Sequence, residues 1–290
     1  MAPTFKRQRT GSVVCPSCGK LVGVNDETCL NCGRRNPGLW GFSQAFRRLG
    51  QDFGFTPAVI GGCVALYAVS LLLDPRGIGM GGLGSLLAPT PGSLFLLGAS
   101  GALPVFELGR WWTVLSAAWL HGGLLHILFN MLWVRQLAPE TAEAYGPARM
   151  VIIYTLAGAT GFAASSLVGH YLVFLPRFLG GAAFTVGASA PIFGLLGAMV
   201  HYGRRRGSSA VGRQALGYAA ILGLFGFLMP GIDNWAHAGG FLGGYLVSRW
   251  LDPWLPERVD HVIVAFGCLA ATVAAVLASV LTGLPALSQR

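Results

Sequence analysis

The chain has 290 residues, of which 53% are apolar and only 11% charged, and its mean hydropathy is +0.60. So few charges cannot cover a soluble globule of this size, which excludes the ordinary soluble enzymes and points to a membrane protein. The net charge of +9 is accounted for by the positive-inside rule, so no nucleic-acid partner is expected.

The chain opens with a polar stretch, to about Phe53, that holds four of the six cysteines. Cys15-Pro-Ser-Cys18-Gly19 and Cys29-Leu-Asn-Cys32-Gly33 are two CxxC turns, each followed by glycine. Each turn brings two thiolates to one side of a tight loop, and two such loops close a tetrahedral metal site. The expectation is a small zinc ribbon holding structural Zn2+ on Cys15, Cys18, Cys29 and Cys32. A pair of disulfides or a redox CxxC is the competing reading, disfavoured by a cytosolic location and by the doubled motif. No stacking aromatic set accompanies the cysteines, so a cytosolic protein that docks on the ribbon is the expected partner. No signal peptide is expected, because the first long apolar segment begins only near Pro57.

Seven apolar segments follow, at 57–73, 112–137, 150–169, 184–202, 215–230, 234–251 and 261–284. A bilayer needs about 20 apolar residues per helix, so the first, fifth and sixth are short and the second is long enough to begin outside the membrane core. With the N-terminus in the cytosol, 16 of the 20 Lys and Arg fall on the cytosolic side, leaving Arg76, Arg110, Arg177 and Arg290 outside. That asymmetry predicts the orientation. The connection 74–111 is rich in Gly and Pro yet contains Leu94-Phe95-Leu96-Leu97 and ends in Trp111-Trp112. It reads equally as a loop lying in the membrane interface or as an ordinary extracellular loop.

Polar residues inside spans are expensive, which makes them the first place to seek function. Three clusters stand out: His121-Gly-Gly-Leu-Leu-His126-Ile-Leu-Phe-Asn130, Gly187-Ala188-Ser189-Ala190-Pro191-Ile192-Phe193-Gly194 and Asp233-Asn234-Trp235-Ala236-His237-Ala238-Gly239-Gly240. Taken singly, Ser189 reads as a helix cap, His126 and Asn130 as interhelical hydrogen-bond partners, and His237 as a core histidine. In the expected topology, however, the second, fourth and sixth spans run the same way and all three clusters fall near their outer ends. Ser189 and His237 then supply a nucleophile and its general base, and His126 and Asn130, four residues apart on one helix face, supply donors to an oxyanion. Ala236, Gly240 and Gly244 form a small-residue stripe that lets the sixth helix approach closely. No HExxH occurs, so a zinc-protease mechanism lacks its ligands and base.

On His126-Ile-Leu-Phe-Asn130, Gly187-Ala-Ser189 with Ile192-Phe193-Gly194, and Ala236-His237 with Gly240, the chain from about Pro57 to Leu251 resembles the rhomboid family of intramembrane serine proteases. The resemblance implies a six-helix core, an in-membrane loop after the first span, a Ser189–His237 dyad, and Phe193 stacked on the ring of His237. It implies substrates that are single-span or polytopic membrane proteins reached laterally from the lipid bilayer. The fold class so expected is an all-α polytopic membrane protein. A zinc ribbon and linker at 1–53 precede a six-helix core at 54–254, and a seventh helix and tail at 255–290 follow it. The seventh helix, with Thr272 and Ser279 as its buried polar residues, is assigned packing or anchoring. The expected location is a prokaryotic plasma membrane with the active site towards the outer face. Two positions depart from the family pattern. Thr113 follows Trp112 where arginine is common, so a loop-anchoring arginine is absent or moved to Arg110; and Ala190-Pro191 follows the serine where glycine often stands. The alternative function is a catalytically inactive relative that binds and escorts membrane proteins.

Overall fold

A computed structural model of the chain describes residues 7–16, 18–43, 52, 54–176, 179–207, 209–229, 231–255 and 257–288. Of the charges that set the expected orientation, Lys6, Arg47, Arg48, Arg177 and Arg290 lie outside the described residues.

The N-terminal unit is a two-stranded antiparallel hairpin, β1 (Ser12–Val14) and β2 (Leu21–Gly23), with Val13 opposite Val22. Val13, Val22, Val24, Cys15 and Cys29 form its small core. An interior this size cannot stabilise a unit of about forty residues by burial alone, and a metal is the usual remedy.

Among the described residues seven long helices follow: α1 (Phe55–Leu72), α4 (Leu124–Tyr145), α5 (Pro147–Tyr171), α6 (Ser189–Arg206), α7 (Ser209–Leu228), α8 (Asn234–Trp250) and α9 (Val259–Ser288), with two short helices, α2 (Pro91–Leu97) and α3 (Thr113–Ser116), between α1 and α4. Asp52 caps α1, its carboxylate accepting from the Gly54 and Thr56 amides at 3.0 and 2.8 Å, which satisfies N–H groups a helix start leaves unpaired. Among the described residues α1, α5, α7 and α9 are long and apolar enough to cross a bilayer, and Thr113–Trp119 with Leu124–Tyr145, bent by 94°, makes a fifth span if taken as one. The chain is an all-α integral membrane protein. The expected count of seven spans is therefore not met by length and composition alone. The helices that carry Ser189 and His237 explain the shortfall: α8 has only 17 residues and α6 ends in Arg204-Arg205-Arg206. Helix α6 lies inside the bundle against α4, α5, α7 and α8, so much of its surface meets protein where an outer helix meets lipid.

The second expected segment divides. Residues 113–119 form a short helix ahead of the Gly122-Gly123 break, and the span proper begins at Leu124. The loop before it is packed: α9 lies along α2 and α3 as well as α5. The helix of the fourth segment also starts later than expected, because residues 182–185 are non-helical and their backbone bonds to the loop, Ser100 and Thr185 exchanging amide bonds at 3.0 and 2.8 Å.

At the opposite end of the bundle from Ser189, Glu257 binds two elements. Its Oε1 accepts from the Ala148 and Arg149 amides at the start of α5, at 2.8 and 3.1 Å, and its Oε2 lies 3.9 Å from Arg34 of the cysteine unit. Arg149 completes the junction, donating to the carbonyls of Tyr145, Asp252 and Leu255.

Candidate active site and cysteine cluster

Ser189 is the first residue of α6 and His237 lies in the first turn of α8. The two helices run parallel with their starts together, because both lack bulk where they touch. A Cβ added to Gly240 would strike the Ala190 carbonyl, and one added to Gly244 the Gly194 carbonyl, so the backbones are in direct contact. Asp233 fixes the start of α8, its carboxylate accepting from the Ala236 amide at 3.0 Å. As a result Ser189 Oγ lies 2.9 Å from His237 Nε2. Phe193, one turn after Ser189, stacks on the imidazole with centroids 4.2 Å apart and planes 13° from parallel, which limits rotation of the ring.

His126 and Asn130 reach this place from α4. The Gly122 amide donates to His126 Nδ1 at 3.3 Å, so a neutral ring carries its proton on Nε2. That nitrogen borders the turn that leads into Ser189: a methyl on Gly187 would lie 2.7 Å from His126 Nε2 and 3.6 Å from Ser189 Oγ. Asn130 is buried, and its Nδ2 donates to the His126 carbonyl at 2.9 Å, which leaves the amide one further N–H. His121 packs edge-on against His126 at 5.2 Å. Ser189, His237 and His126 thus come together, whereas the bond Asn130 makes is back to its own helix.

Beside the site, the loop before α4 is anchored by Arg110, one of the two outcomes the sequence left open. Arg110 is buried, donating to the carbonyls of Phe95 at 3.0 Å and of Ser279 in α9 at 2.7 Å. What sequence reasoning missed is the pairing: a lone arginine in a loop and a lone serine in an apolar helix each stood out by cost inside a membrane, and nothing joined the two.

The four N-terminal cysteines converge. All four Sγ atoms lie within 4.8 Å of one another, with Cys15 to Cys32 at 3.7 Å and Cys18 to Cys29 at 3.6 Å. Metal–sulfur bonds of about 2.3 Å at tetrahedral angles put sulfurs about 3.8 Å apart, so the cluster fits one ion. None of these cysteines is in a disulfide. Burial favours the neutral thiol at Cys18, but hydrogen bonds from the Lys20 amide and from Asn31, Cys32 and Cys29 outweigh it and bring the group down to about 7. Burial carries Cys32 up to about 12 against the Arg34 amide, the neighbouring thiols adding to the rise.

A family model for the rhomboid domain matches residues 108–252. That range holds His126, Asn130, Ser189 and His237 and excludes the cysteines and α9. The chain is similar to rhomboid protease GluP of Bacillus subtilis (strain 168), 32% identical over 146 residues that cover 49% of this chain and 26% of that protein. It is also similar to RHOMBOID-like protein 7 of Arabidopsis thaliana, 32% identical over 171 residues covering 56% and 50%. RHOMBOID-like protein 1 of the same plant is 28% identical over 211 residues covering 66% and 51%. The chain thus spans about half or less of the length of these relatives. With a match over half its own length, on the residues whose geometry is described above, this chain belongs to the rhomboid family.

Proposed function

We propose that the chain is an intramembrane serine endopeptidase that cuts transmembrane segments of other membrane proteins with Ser189 as nucleophile and His237 as general base. The observation that carries this reading is the 2.9 Å approach of Ser189 Oγ to His237 Nε2. A hydroxyl is a poor nucleophile until a base removes its proton, and an Nε2 lone pair at hydrogen-bond distance is such a base. In the reaction Oγ attacks the scissile carbonyl while Nε2 takes the hydroxyl proton. The imidazolium then returns that proton to the leaving amine, and water cleaves the resulting ester by the same route. Negative charge on the carbonyl oxygen falls beside His126 Nε2–H, with the Asn130 amide and the Ser189 backbone N–H as further donors. Phe193 holds the imidazole in plane through these steps. No step calls for a third acid, and the dyad geometry supplies the transfer by itself.

The N-terminal cluster is read as a structural Zn2+ site on Cys15, Cys18, Cys29 and Cys32, which takes no part in catalysis. The Lys and Arg distribution favours a cytosolic N-terminus with Ser189 towards the outer face. Purified protein in lipid, offered a panel of single-span substrates, tests the reading. Cleavage by wild type and none by Ser189→Ala or His237→Ala is expected. Binding of the same spans without any cleavage would instead establish an escort protein.

A further inference from the structure

The C-terminal helix α9 lies outside the matched domain, and its lipid-facing residues, such as Ile263, Phe266, Val273, Leu277 and Leu281, are what an anchor requires. Ser279 is different. It is fully buried, its hydroxyl accepts from Trp112 Nε1 at 3.1 Å, and its carbonyl accepts from Arg110 Nη2 at 2.7 Å. The Arg110 guanidinium also covers the Phe95 ring at 4.1 Å. A buried charge and an indole N–H inside a membrane are costly, and here their bonds join α9 to the loop between α1 and α4.

That loop continues to the nucleophile without a gap. Thr113 Oγ1 donates to Ser100 Oγ at 3.3 Å and Ser116 Oγ to the Gly98 carbonyl at 2.8 Å. Ser100 pairs in both directions with Thr185, while Ala102 and Leu103 donate to the carbonyls of Ala182 and Ala183 at 2.9 and 3.1 Å. The Gly187 amide then donates to the Ala117 carbonyl at 2.9 Å, two residues before Ser189. There is no slack at the start of this chain of bonds: Gly98 has φ +105°, and a methyl there would come within 2.6 Å of Ser279 Oγ.

We propose that α9 is a positioning element of the catalytic site, with Ser279 and Arg110 as positioning residues that hold the loop whose backbone pairs with 182–185 and so sets the place of Ser189. The inference rests on Ser189 being the nucleophile. Displacing a reacting atom by about 1 Å is enough to cost on the order of 10²-fold in rate.

The test uses the full chain in detergent and in lipid, with two readouts. The first is the rate at which a small fluorophosphonate labels Ser189, together with kcat and KM for a cleaved span. The second is hydrogen exchange at the amides of Ala102, Leu103 and Thr185. Ser279→Leu, which wedges the helix from Gly98, and Arg110→Ala are expected to slow labelling by about 10²-fold, to lower kcat with KM unchanged, and to speed exchange at those amides. Thr272→Ala is the control: this residue is buried on the same helix and, among the described residues, its hydroxyl bonds to Cys268 of α9 alone, so both readouts should stay at wild-type values. If Ser279→Leu does not fold, Trp112→Phe, which removes one N–H, should move both readouts in the same direction by about threefold. Wild-type labelling and exchange in the folded variants would overturn the proposal, as would an equal effect of Thr272→Ala. Should Ser189→Ala still cleave, the nucleophile assignment fails, and hydrogen exchange alone decides the role of α9.

Discussion

Ser189, His237 and Asn130 are expected to fail differently when removed, because in the proposed mechanism the first two form the covalent route and the third stabilises charge that exists only in the transition state. Ser189→Ala and His237→Ala should drop cleavage to background. Asn130→Ala should cost up to about 10²–10³ in rate, softened by His126 and the Ser189 amide as remaining donors. Measured kcat values for the three variants, with folding verified, check this order; an Asn130 variant as dead as the dyad variants would contradict it. At the cysteines, four sulfurs this close should hold one zinc per chain in freshly purified reduced protein. Elemental analysis finding none would sink that assignment. Because the ligands bind as thiolates, acidification should release the metal, with the loss setting in as pH falls.

Between elements, Glu257 is the most informative contact, since it joins the start of α5 to the cysteine unit. Burial raises its carboxyl above the usual range, against the opposing pull of the Arg149 and Ala148 amides and of the Arg34 and Arg149 charges. A carboxyl whose folded pKa is raised stabilises fully below the unfolded pKa, and that contribution is lost as pH rises through the folded value. Thermal unfolding of wild type and Glu257→Gln should therefore shift in favour of Gln on going from acid to neutral pH. A shift the other way would mean that the ionised pair with Arg34 dominates. Element identity was largely legible in the sequence, because each of the seven apolar segments overlaps a long helix. Boundaries were legible only where a cap or glycine marked them. Residues 112–120 are as apolar as a span, and nothing in their periodicity revealed the 94° bend. The approach of Ser189 to His237 could be anticipated because each sits beside small residues at a helix start. The Arg110–Ser279 bond bridges 169 positions, and a single polar residue at each end leaves no pattern to read.

At the scale of the molecule, Ser189 and the cysteine unit lie towards opposite ends of the bundle, along which the 17 residues of α8 span roughly 25 Å at 1.5 Å per residue. Over that distance Cys15→Ser should unfold the ribbon and still leave cleavage measurable; complete loss in a folded membrane core would contradict this. The substrate should be a span whose outer end carries small, helix-weakening residues, since a peptide bond inside a helix is shielded by its own hydrogen bonds and must unwind to be attacked. A run of leucines across the cleavage site should slow cutting, and equal rates would argue against lateral access by unwinding. The central claim is that Ser189 is the nucleophile of a protease in the membrane. Its most direct test is mass mapping of the chain after reaction with a fluorophosphonate. The account predicts a single adduct on the peptide containing Ser189, absent in Ser189→Ala and abolished by His237→Ala. An adduct on another residue, or undiminished labelling without His237, would contradict it.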